Sequence, residues 1–304
     1  MDNLIIDGFG LVYRSHYAFN NLLTGSGLCS GSVYGTLVSM RTIKNKYPSC
    51  HLTVAWDRDA TRRKEVFSSY KSSRSSVDLV EQISDLKRIF LNLNISQAEF
   101  EGEEADDVIA SLTKKYSENT VYIYSSDKDM FQLVKDGSVI VIRPKRGKIP
   151  EKHYDEEMIM EEYGVQPSNF ACYQCFRGDS IDDIPGAPRI KSSLIAYLVE
   201  KYQDPPTIYE YLNEEKLTPY QRKTLLEFQE QTTVNMQLVK LRTDLPLEIT
   251  TGEPNVEALV PLLDKYEISS INPHTYVEVF VDVPSFNARR APSFKSYSLF
   301  DEEE

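Results

Sequence analysis

The apolar positions of the chain fall into short runs that alternate with stretches of helical spacing. Three runs, NLIID, LTVAWD and TVYIYSSD, are rich in β-branched and aromatic residues, and they end at Asp7, Asp57 and Asp127. Each run predicts a buried strand. Apolar residues at helical spacing over 33–43, 79–91 and 108–116 predict helices. This alternation predicts an α/β fold with a mostly parallel central sheet and flanking helices, whose site lies beyond the carboxyl ends of the strands.

The charges of the chain are segregated. The net charge of the 304 residues is −12, which by itself disfavours a polyanionic partner. Basic residues nevertheless cluster at 58–64, 70–74, 143–148 and 189–191, while acids crowd elsewhere, as in EGEEADD at 101–107. This pattern is typical of a protein that holds cations next to a phosphate-binding surface.

The acidic stretches predict a metal site. A helix dipole favours one or two acids at a helix start, but not the five of EGEEADD or the further groups in SDKDM and GDSIDD. Clustered carboxylates repel one another unless they are protonated or bridged by cations, and their oxygens suit Mg²⁺ or Mn²⁺. Two such ions about 4 Å apart are the usual device for phosphodiester hydrolysis. The residues therefore predict a metal-dependent phosphoryl hydrolase.

The membrane and secretory classes are disfavoured. No window approaches the run of about 20 apolar residues that a membrane helix needs. The first residues, MDNLIID, lack the basic and apolar regions of a signal peptide. We therefore expect a cytoplasmic protein, in a bacterial cell or a phage-infected host, with no membrane partner.

Eight motifs occur in an order that is specific to one family. They are IIDGFGLVYRSHYAF, SGSVYGTL, VAWD, YKSSR, EEADDVIA, SSDKDMFQLV, EEYGVQP and RGDSIDDIPGAP. Over roughly residues 4–200 the chain resembles the 5′ nuclease family, which includes the 5′ nuclease domain of bacterial DNA polymerase I, phage 5′-3′ exonucleases and flap endonucleases. The resemblance implies a PIN-like nuclease core over 1–165 with a helical gateway near 60–90. It also implies a helical lower region over 166–285 with a helix-hairpin-helix at 179–200, and the Pro- and Ser-containing end at 286–304 is expected to be a flexible tail.

The resemblance implies roles for particular residues. Carboxylates would hold two divalent cations, Mg²⁺ or Mn²⁺: Asp7, Glu104, Asp106 and Asp107 around the tighter one, Asp127, Asp129, Asp179 and Asp182 around the second, and Asp57 close to both. Lys71 and Arg74 match the basic pair that the family places on the gateway. A Lys charge stabilises the phosphate in the transition state, and an Arg fork holds its oxygens.

Residues for DNA binding are also implied. Arg14 is a candidate phosphate contact, and Tyr70 is either a base-stacking residue or part of the core. Gly186 lies in the hairpin whose backbone N–H groups would face a duplex phosphate. Arg189 and Lys191 stand where relatives usually carry glycines beside a potassium ion, which puts that ion in doubt and suggests direct phosphate contacts.

The function that follows is a structure-specific 5′ nuclease of DNA replication or repair. We expect a monomer that cleaves branched or nicked duplex DNA, or the RNA of an RNA–DNA hybrid as in primer removal. A PIN-type ribonuclease would lack YKSSR and DDIPGAP, and an inactive DNA-binding scaffold would have lost an acidic ligand. The preference between flaps and primers, and between endonuclease and exonuclease action, is left open. The tail sequence SYSLF is similar to peptides that dock on a sliding clamp, with Tyr297, Leu299 and Phe300 as anchors.

Overall fold

The structure is a computed structural model that describes residues 1–73 and 77–281. Arg74, the tail predicted at 286–304 and the three clamp anchors, Tyr297, Leu299 and Phe300, lie outside the described residues.

A seven-stranded sheet forms the centre of the molecule. Its strands are β1 (Asn3–Asp7), β2 (His51–Ala55), β3 (Ser96–Ala98), β4 (Val121–Tyr124), β5 (Val139–Arg143), β6 (Lys152–Tyr154) and β7 (Ile249–Thr250). Their order is β6-β5-β4-β1-β2-β3-β7. Strands β1 to β5 run parallel, and β6 and β7 pair antiparallel at the two edges. The three strands predicted from the apolar runs are confirmed as β1, β2 and β4.

The register brings the ends of the central strands together. Asp7 pairs with Ala55, and Ile6 pairs with Tyr124. The carboxyl ends of β1, β2 and β4 therefore share one edge of the sheet. Asp7 ends β1, while Asp57 and Asp127 follow the other two strands within a few residues.

Helices cover both faces of this sheet. They are α1 (Gly8–Ala18), α2 (Gly31–Lys46), α3 (Thr61–Val66), α4 (Val80–Leu91), α5 (Ala105–Lys115), α6 (Glu156–Tyr163), α7 (Phe170–Arg177), α8 (Ser192–Tyr202), α9 (Pro205–Tyr211), α10 (Pro219–Glu227), α11 (Gln229–Val239), α12 (Val256–Lys265) and α13 (Pro273–Phe280). Two 3₁₀ helices span Lys128–Leu133 and Pro167–Asn169. The helices predicted over 33–43, 79–91 and 108–116 are confirmed as α2, α4 and α5. No described helix combines the length and apolar character needed to cross a bilayer.

The buried residues form two apolar clusters, one on each face of the sheet. Ile5 points into the cluster formed with α5, α7 and α8, whereas Leu4 and Ile6 point into the cluster formed with α1, α2 and α4. All three side chains are fully buried, as expected for a parallel sheet covered on both sides.

The last described residues, 249–280, pack against the central sheet, and the predicted lower region over 166–285 stays a prediction. Strand β7 pairs with β3 at the edge of the main sheet. Helices α12 and α13 then pack in the same apolar cluster as α2 and α4. The apolar side chains of α12 and α13 therefore cover one face of the central sheet.

The predicted gateway near 60–90 contains both helices and turns. The short helix α3 is followed by turns over 68–73, and Lys71 has a left-handed backbone with φ 54°. Helix α4 then returns to the core. The described part of the gateway is therefore only partly helical.

Candidate functional site

Asp7 is fixed at the end of β1. Its carboxylate accepts hydrogen bonds from the Gly10 amide (2.8 Å) and from Ser125 Oγ (2.9 Å), so it also caps α1. A Cβ atom at Gly10 would lie 2.4 Å from Asp7 Oδ2, which explains the glycine in DGFG. Burial raises the pKa of Asp7 above its ordinary value.

Asp57 lies against the start of α5. Its Oδ1 accepts a hydrogen bond from the amide of Ala105, the first residue of that helix. Burial raises the pKa of Asp57 to about 6, although this amide opposes the shift. The local sequence therefore links the end of β2 to the acidic helix start that carries Glu104 and Asp106.

Three further aspartates influence one another electrostatically. Asp127 caps the 3₁₀ helix Lys128–Leu133 by accepting from the Asp129 amide at 2.9 Å. Burial raises the pKa of Asp106 well above its ordinary value, and the charge of Asp127 adds to the effect. The pKa of Asp129 is raised for the same two reasons, although Gln174 donates a hydrogen bond to its carboxylate. The structure thus brings acids from β1, α5 and the end of β4 into mutual repulsion.

Lys71 projects its ammonium group among these acids. Its Nζ pairs with Glu104 Oε1 and lies 3.7 Å from Asp182 Oδ2, while its amide donates to the carbonyl of Asp182 at 3.1 Å. Although burial acts to raise the pKa of Glu104, Lys71 and Arg63 hold it below its ordinary value. A cation therefore already lies between carboxylates from α5 and from the hairpin segment.

Tyr70 lies in the core beside this pair. It is 3% exposed, and its hydroxyl donates to Glu104 Oε2 at 2.8 Å and contacts Asp182 Oδ2 at 3.3 Å. Of the two alternatives for Tyr70, the core position is the one observed. Because so little of the residue is exposed, its ring is not available for base stacking in this structure.

Asp107 contacts arginine residues. Arg63 pairs with both Glu104 and Asp107, and its Nε donates to the carbonyl of Leu238. Arg62 adds a contact to Asp107 at 3.4 Å, and the amide of Arg242 donates to it at 2.8 Å. These contacts of Asp107 therefore link α3, α5 and the segment after α11.

Sequence reasoning missed this arginine network. Arg63 was interpreted only as part of the basic cluster 58–64, yet it is 2% exposed. Glu103 is also buried, and it pairs with Arg62 and Arg242. The only signal in the sequence was that the basic segment 58–64 and the acidic segment 101–107, about 40 residues apart, have opposite charges. Opposite charge does not identify which residues pair.

The hairpin segment follows α7. Asp179 pairs with Lys128 at 3.0 Å, and Asp182 is buried. A Cβ atom at Gly186 would lie 2.1 Å from the carbonyl oxygen of Arg177, so the chain turns back closely on α7. Arg189 and Lys191 are exposed just before α8, and Arg189 has a φ of 59°.

Arg14 is held by internal contacts. Its Nη2 donates to the carbonyl of Lys145 at 2.7 Å, and its Nη1 lies 3.4 Å from the hydroxyl of Tyr124. These contacts join α1 to β4 and to the loop after β5.

The donor set fits a hard cation, although the side chains do not form a closed metal site. Within residues 1–73 and 77–281, no group of three or more His, Cys, Asp or Glu side chains is gathered closely enough to hold an ion. The available donors are carboxylate oxygens, which Mg²⁺ and Mn²⁺ prefer, and the Lys71 ammonium shows that a cation is tolerated between Glu104 and Asp182.

Comparisons with known proteins agree with this architecture. Residues 2–164 match the family described as "5′-3′ exonuclease, N-terminal resolvase-like domain", and residues 165–259 match "5′-3′ exonuclease, C-terminal SAM fold". The chain is 32% identical over 262 residues to a protein named 5′-3′ exonuclease from Buchnera aphidicola subsp. Schizaphis graminum. The matched region covers 82% of this chain and 89% of that protein. It is 29% identical over 255 residues to DNA polymerase I of Bacillus subtilis, covering 82% of this chain and 29% of the polymerase.

A solved structure has the same fold. T5 5′-exonuclease with bound divalent metal ions (zinc) superposes with a TM-score of 0.62 and 20% identity, covering 92% of this chain and 100% of that one. The predicted fold class is confirmed.

Proposed function

The chain belongs to the 5′-3′ exonuclease family, and from that premise we propose that it cleaves phosphodiester bonds near the 5′ end of a strand at a flap, nick or RNA primer. The resemblance to this family is confirmed by the same matches. The observation that carries the proposal is the position of the Lys71 ammonium among acids at the carboxyl edge of the sheet. This arrangement supplies both anionic donors for cations and a positive group for a phosphate.

The carboxylates are proposed to hold divalent cations. Those that contact or repel one another are the best candidates: Asp7, Asp57, Glu104, Asp106, Asp127, Asp129, Asp179 and Asp182. Bound Mg²⁺ or Mn²⁺ supplies activation of water and neutralisation of the leaving oxygen. The T5 5′-exonuclease structure with divalent metal ions supports this assignment. Asp107 is proposed to act indirectly, because its carboxylate contacts Arg62, Arg63 and the backbone amide of Arg242.

The residues of the chain itself bind and orient the phosphate. Lys71 places a positive charge beside the acids, where it can stabilise charge that develops on the phosphate oxygens. Glu104 is held by Arg63, Tyr70 and Lys71 together, so its position is fixed before DNA arrives. Arg74 is proposed to hold a second phosphate oxygen, as the family resemblance implies.

A substrate panel tests the proposed function. We expect an end-labelled 5′ flap and a nicked duplex to be cleaved with Mg²⁺ and left intact in excess EDTA, with an RNA–DNA hybrid and a blunt duplex in parallel. Flap cleavage in excess EDTA would contradict the cation requirement. Cleavage of single-stranded RNA in preference to every structured DNA would favour the PIN-type ribonuclease, and the absence of cleavage together with tight DNA binding would favour the scaffold.

The hairpin is proposed to bind duplex phosphate through Arg189 and Lys191. Both side chains are exposed next to the start of α8. If they replace a potassium ion, duplex affinity in KCl and NaCl at equal ionic strength should agree within about twofold, while added salt should weaken binding in both.

The variant Arg189→Ala should bind duplex more weakly and reduce the slope of log affinity against log salt by about 1. Lys46→Ala is the matched control, because Lys46 is an exposed cation on α2, which packs on the other face of the sheet. Strong tightening specific to potassium would contradict this assignment of the hairpin.

Three further properties stay predictions: residence in the cytoplasm, action as a monomer, and clamp docking through Tyr297, Leu299 and Phe300. Arg14 stays a proposed phosphate contact that would have to exchange its internal hydrogen bonds for DNA.

A further inference from the structure

The carboxylate of Asp183, in the hairpin segment, accepts two hydrogen bonds from the turn at residues 71–73, here called the gateway turn. Asp183 Oδ2 accepts from the amide of Ser73 at 2.9 Å, and Oδ1 accepts from the hydroxyl of Ser73 at 2.7 Å. Of the three aspartates in GDSIDD, Asp183 is the one to which the family resemblance gives no role. A partly exposed acid that uses both oxygens on Ser73, and that also interacts with Ser72, is instead a specific attachment between two segments that lie 110 residues apart.

The same turn carries Lys71. The Lys71 amide donates to the carbonyl of Asp182, and Ser73 is bound by the neighbouring Asp183. Two consecutive hairpin residues therefore bind two residues of the gateway turn. The backbone of this turn sets the position of the Lys71 side chain, so the contacts that hold the turn against the hairpin also place the ammonium beside Glu104.

Both sides of the attachment have unusual backbone conformations. Lys71 has a φ of 54° and Asp183 a φ of 59°, and neither residue is glycine. The left-handed region costs an ordinary residue on the order of 1 kcal/mol or more, so it persists where surrounding contacts define it. The paired hydrogen bonds between 71–73 and 182–183 are such contacts.

We propose that Asp183 is a positioning residue that fixes the gateway turn and thereby holds the Lys71 ammonium at the acidic site. This proposal rests on the proposed function for its catalytic consequence, but its structural consequence can be measured without activity. Asp183 acts through Ser73 and the turn, and it does not itself contact the phosphate.

Acylation of lysine amines tests the structural part. Folded protein is treated briefly with an amine-reactive ester, and modification of Lys71 is quantified by peptide mass spectrometry against Lys201 as an internal reference. In Asp183→Ala the acylation of Lys71 should rise about five- to tenfold, which corresponds to the loss of roughly one net hydrogen bond. Ser73→Ala should raise it less, because its amide remains a donor to Asp183.

Single-turnover cleavage of a 5′ flap tests the catalytic part. Asp183→Ala should slow cleavage about tenfold while flap affinity stays within about twofold. Asp183→Asn, which keeps acceptor capacity on one oxygen, should restore most of the rate. The double variant Asp183→Ala/Ser73→Ala should be no slower than Asp183→Ala alone, since both changes remove the same attachment.

Asp204→Ala is the matched control. Asp204 accepts from the amide and the hydroxyl of Thr207 at 3.1 and 2.7 Å, which reproduces the chemistry of the Asp183–Ser73 pair at the start of α9. It should leave Lys71 acylation and the cleavage rate unchanged. Unchanged Lys71 acylation in Asp183→Ala would overturn the positioning role, and so would an unchanged cleavage rate. If wild-type protein cleaves no substrate, the proposed function fails, and the acylation result alone decides the positioning role.

Discussion

Replacing Asp127 by asparagine is expected to abolish cleavage while leaving the fold intact. Asp127 lies within electrostatic reach of Asp7, Asp106 and Asp129, so its charge contributes to every part of the proposed cation site. Asparagine keeps the size of the side chain and an acceptor for the Asp129 amide, which caps the following 3₁₀ helix. The substitution therefore removes charge without removing core packing.

The expected loss in single-turnover rate is at least about a thousandfold, because metal-ion catalysis contributes several kcal/mol and about 1.4 kcal/mol corresponds to tenfold. Asp179→Asn should behave in the same way, while flap binding stays near that of the wild type. The midpoint temperature of thermal unfolding should be unchanged or slightly raised, because repulsion among buried acids is relieved.

The control for this experiment is Asp155→Asn. Asp155 caps α6 by accepting from the Met158 amide at 2.9 Å, so the substitution tests the capping chemistry away from the acidic site. It should retain the full rate. An Asp127→Asn protein that cleaves flaps at the wild-type rate would remove Asp127 from the proposed site.

Lys71→Ala is expected to have the second largest effect. Its ammonium is proposed to stabilise charge on the phosphate in the transition state, and removing one such group usually costs about 10²- to 10³-fold in rate. Affinity for a flap should fall by no more than about threefold, because an interaction made mainly in the transition state affects turnover selectively. Single-turnover cleavage and equilibrium binding on the same substrate separate the two quantities.

Lys201→Ala is a closely matched control. Lys201 also pairs with a glutamate, Glu215, and its Nζ lies 5.0 Å from the ring centroid of the adjacent Tyr202. Lys71 has the same relation to Glu104 and to Tyr70, at the same 5.0 Å. If Lys71→Ala slows cleavage and Lys201→Ala does not, the effect comes from the position of Lys71 at the acidic site and not from the loss of a paired lysine as such. Equal rates for wild type and Lys71→Ala would exclude Lys71 from the chemistry.

The parts of the fold that follow from local pattern were predictable. Each of Asp7, Asp57 and Asp127 comes at or just after a short apolar run, and parallel pairing then brings the ends of these strands to one edge. The helix that carries Asp106 was predicted from its apolar spacing, although its start at Ala105 depends on a hydrogen bond to the distant Asp57.

The parts that depend on distant partners were not predictable. Arg63 lies in a strongly basic stretch, and only its pairing with Glu104 and Asp107 explains why a guanidinium is buried there. Strand β7 has two residues, too few to show any periodicity, yet it pairs with β3 about 150 residues earlier. The left-handed backbone of Lys71 likewise reflects contacts with the hairpin rather than a local preference.

Every catalytic role proposed above requires that the acidic edge of the sheet binds divalent cations. Titration of folded protein with Mn²⁺, followed by the electron paramagnetic resonance signal of the free ion, measures this binding without reference to activity. We expect two ions to bind per wild-type chain, at least one of them to be lost or bound much more weakly in Asp127→Asn, and both to be retained in Asp155→Asn. Wild-type protein that binds no Mn²⁺ at millimolar concentration, or Asp127→Asn protein that binds as the wild type does, would contradict it.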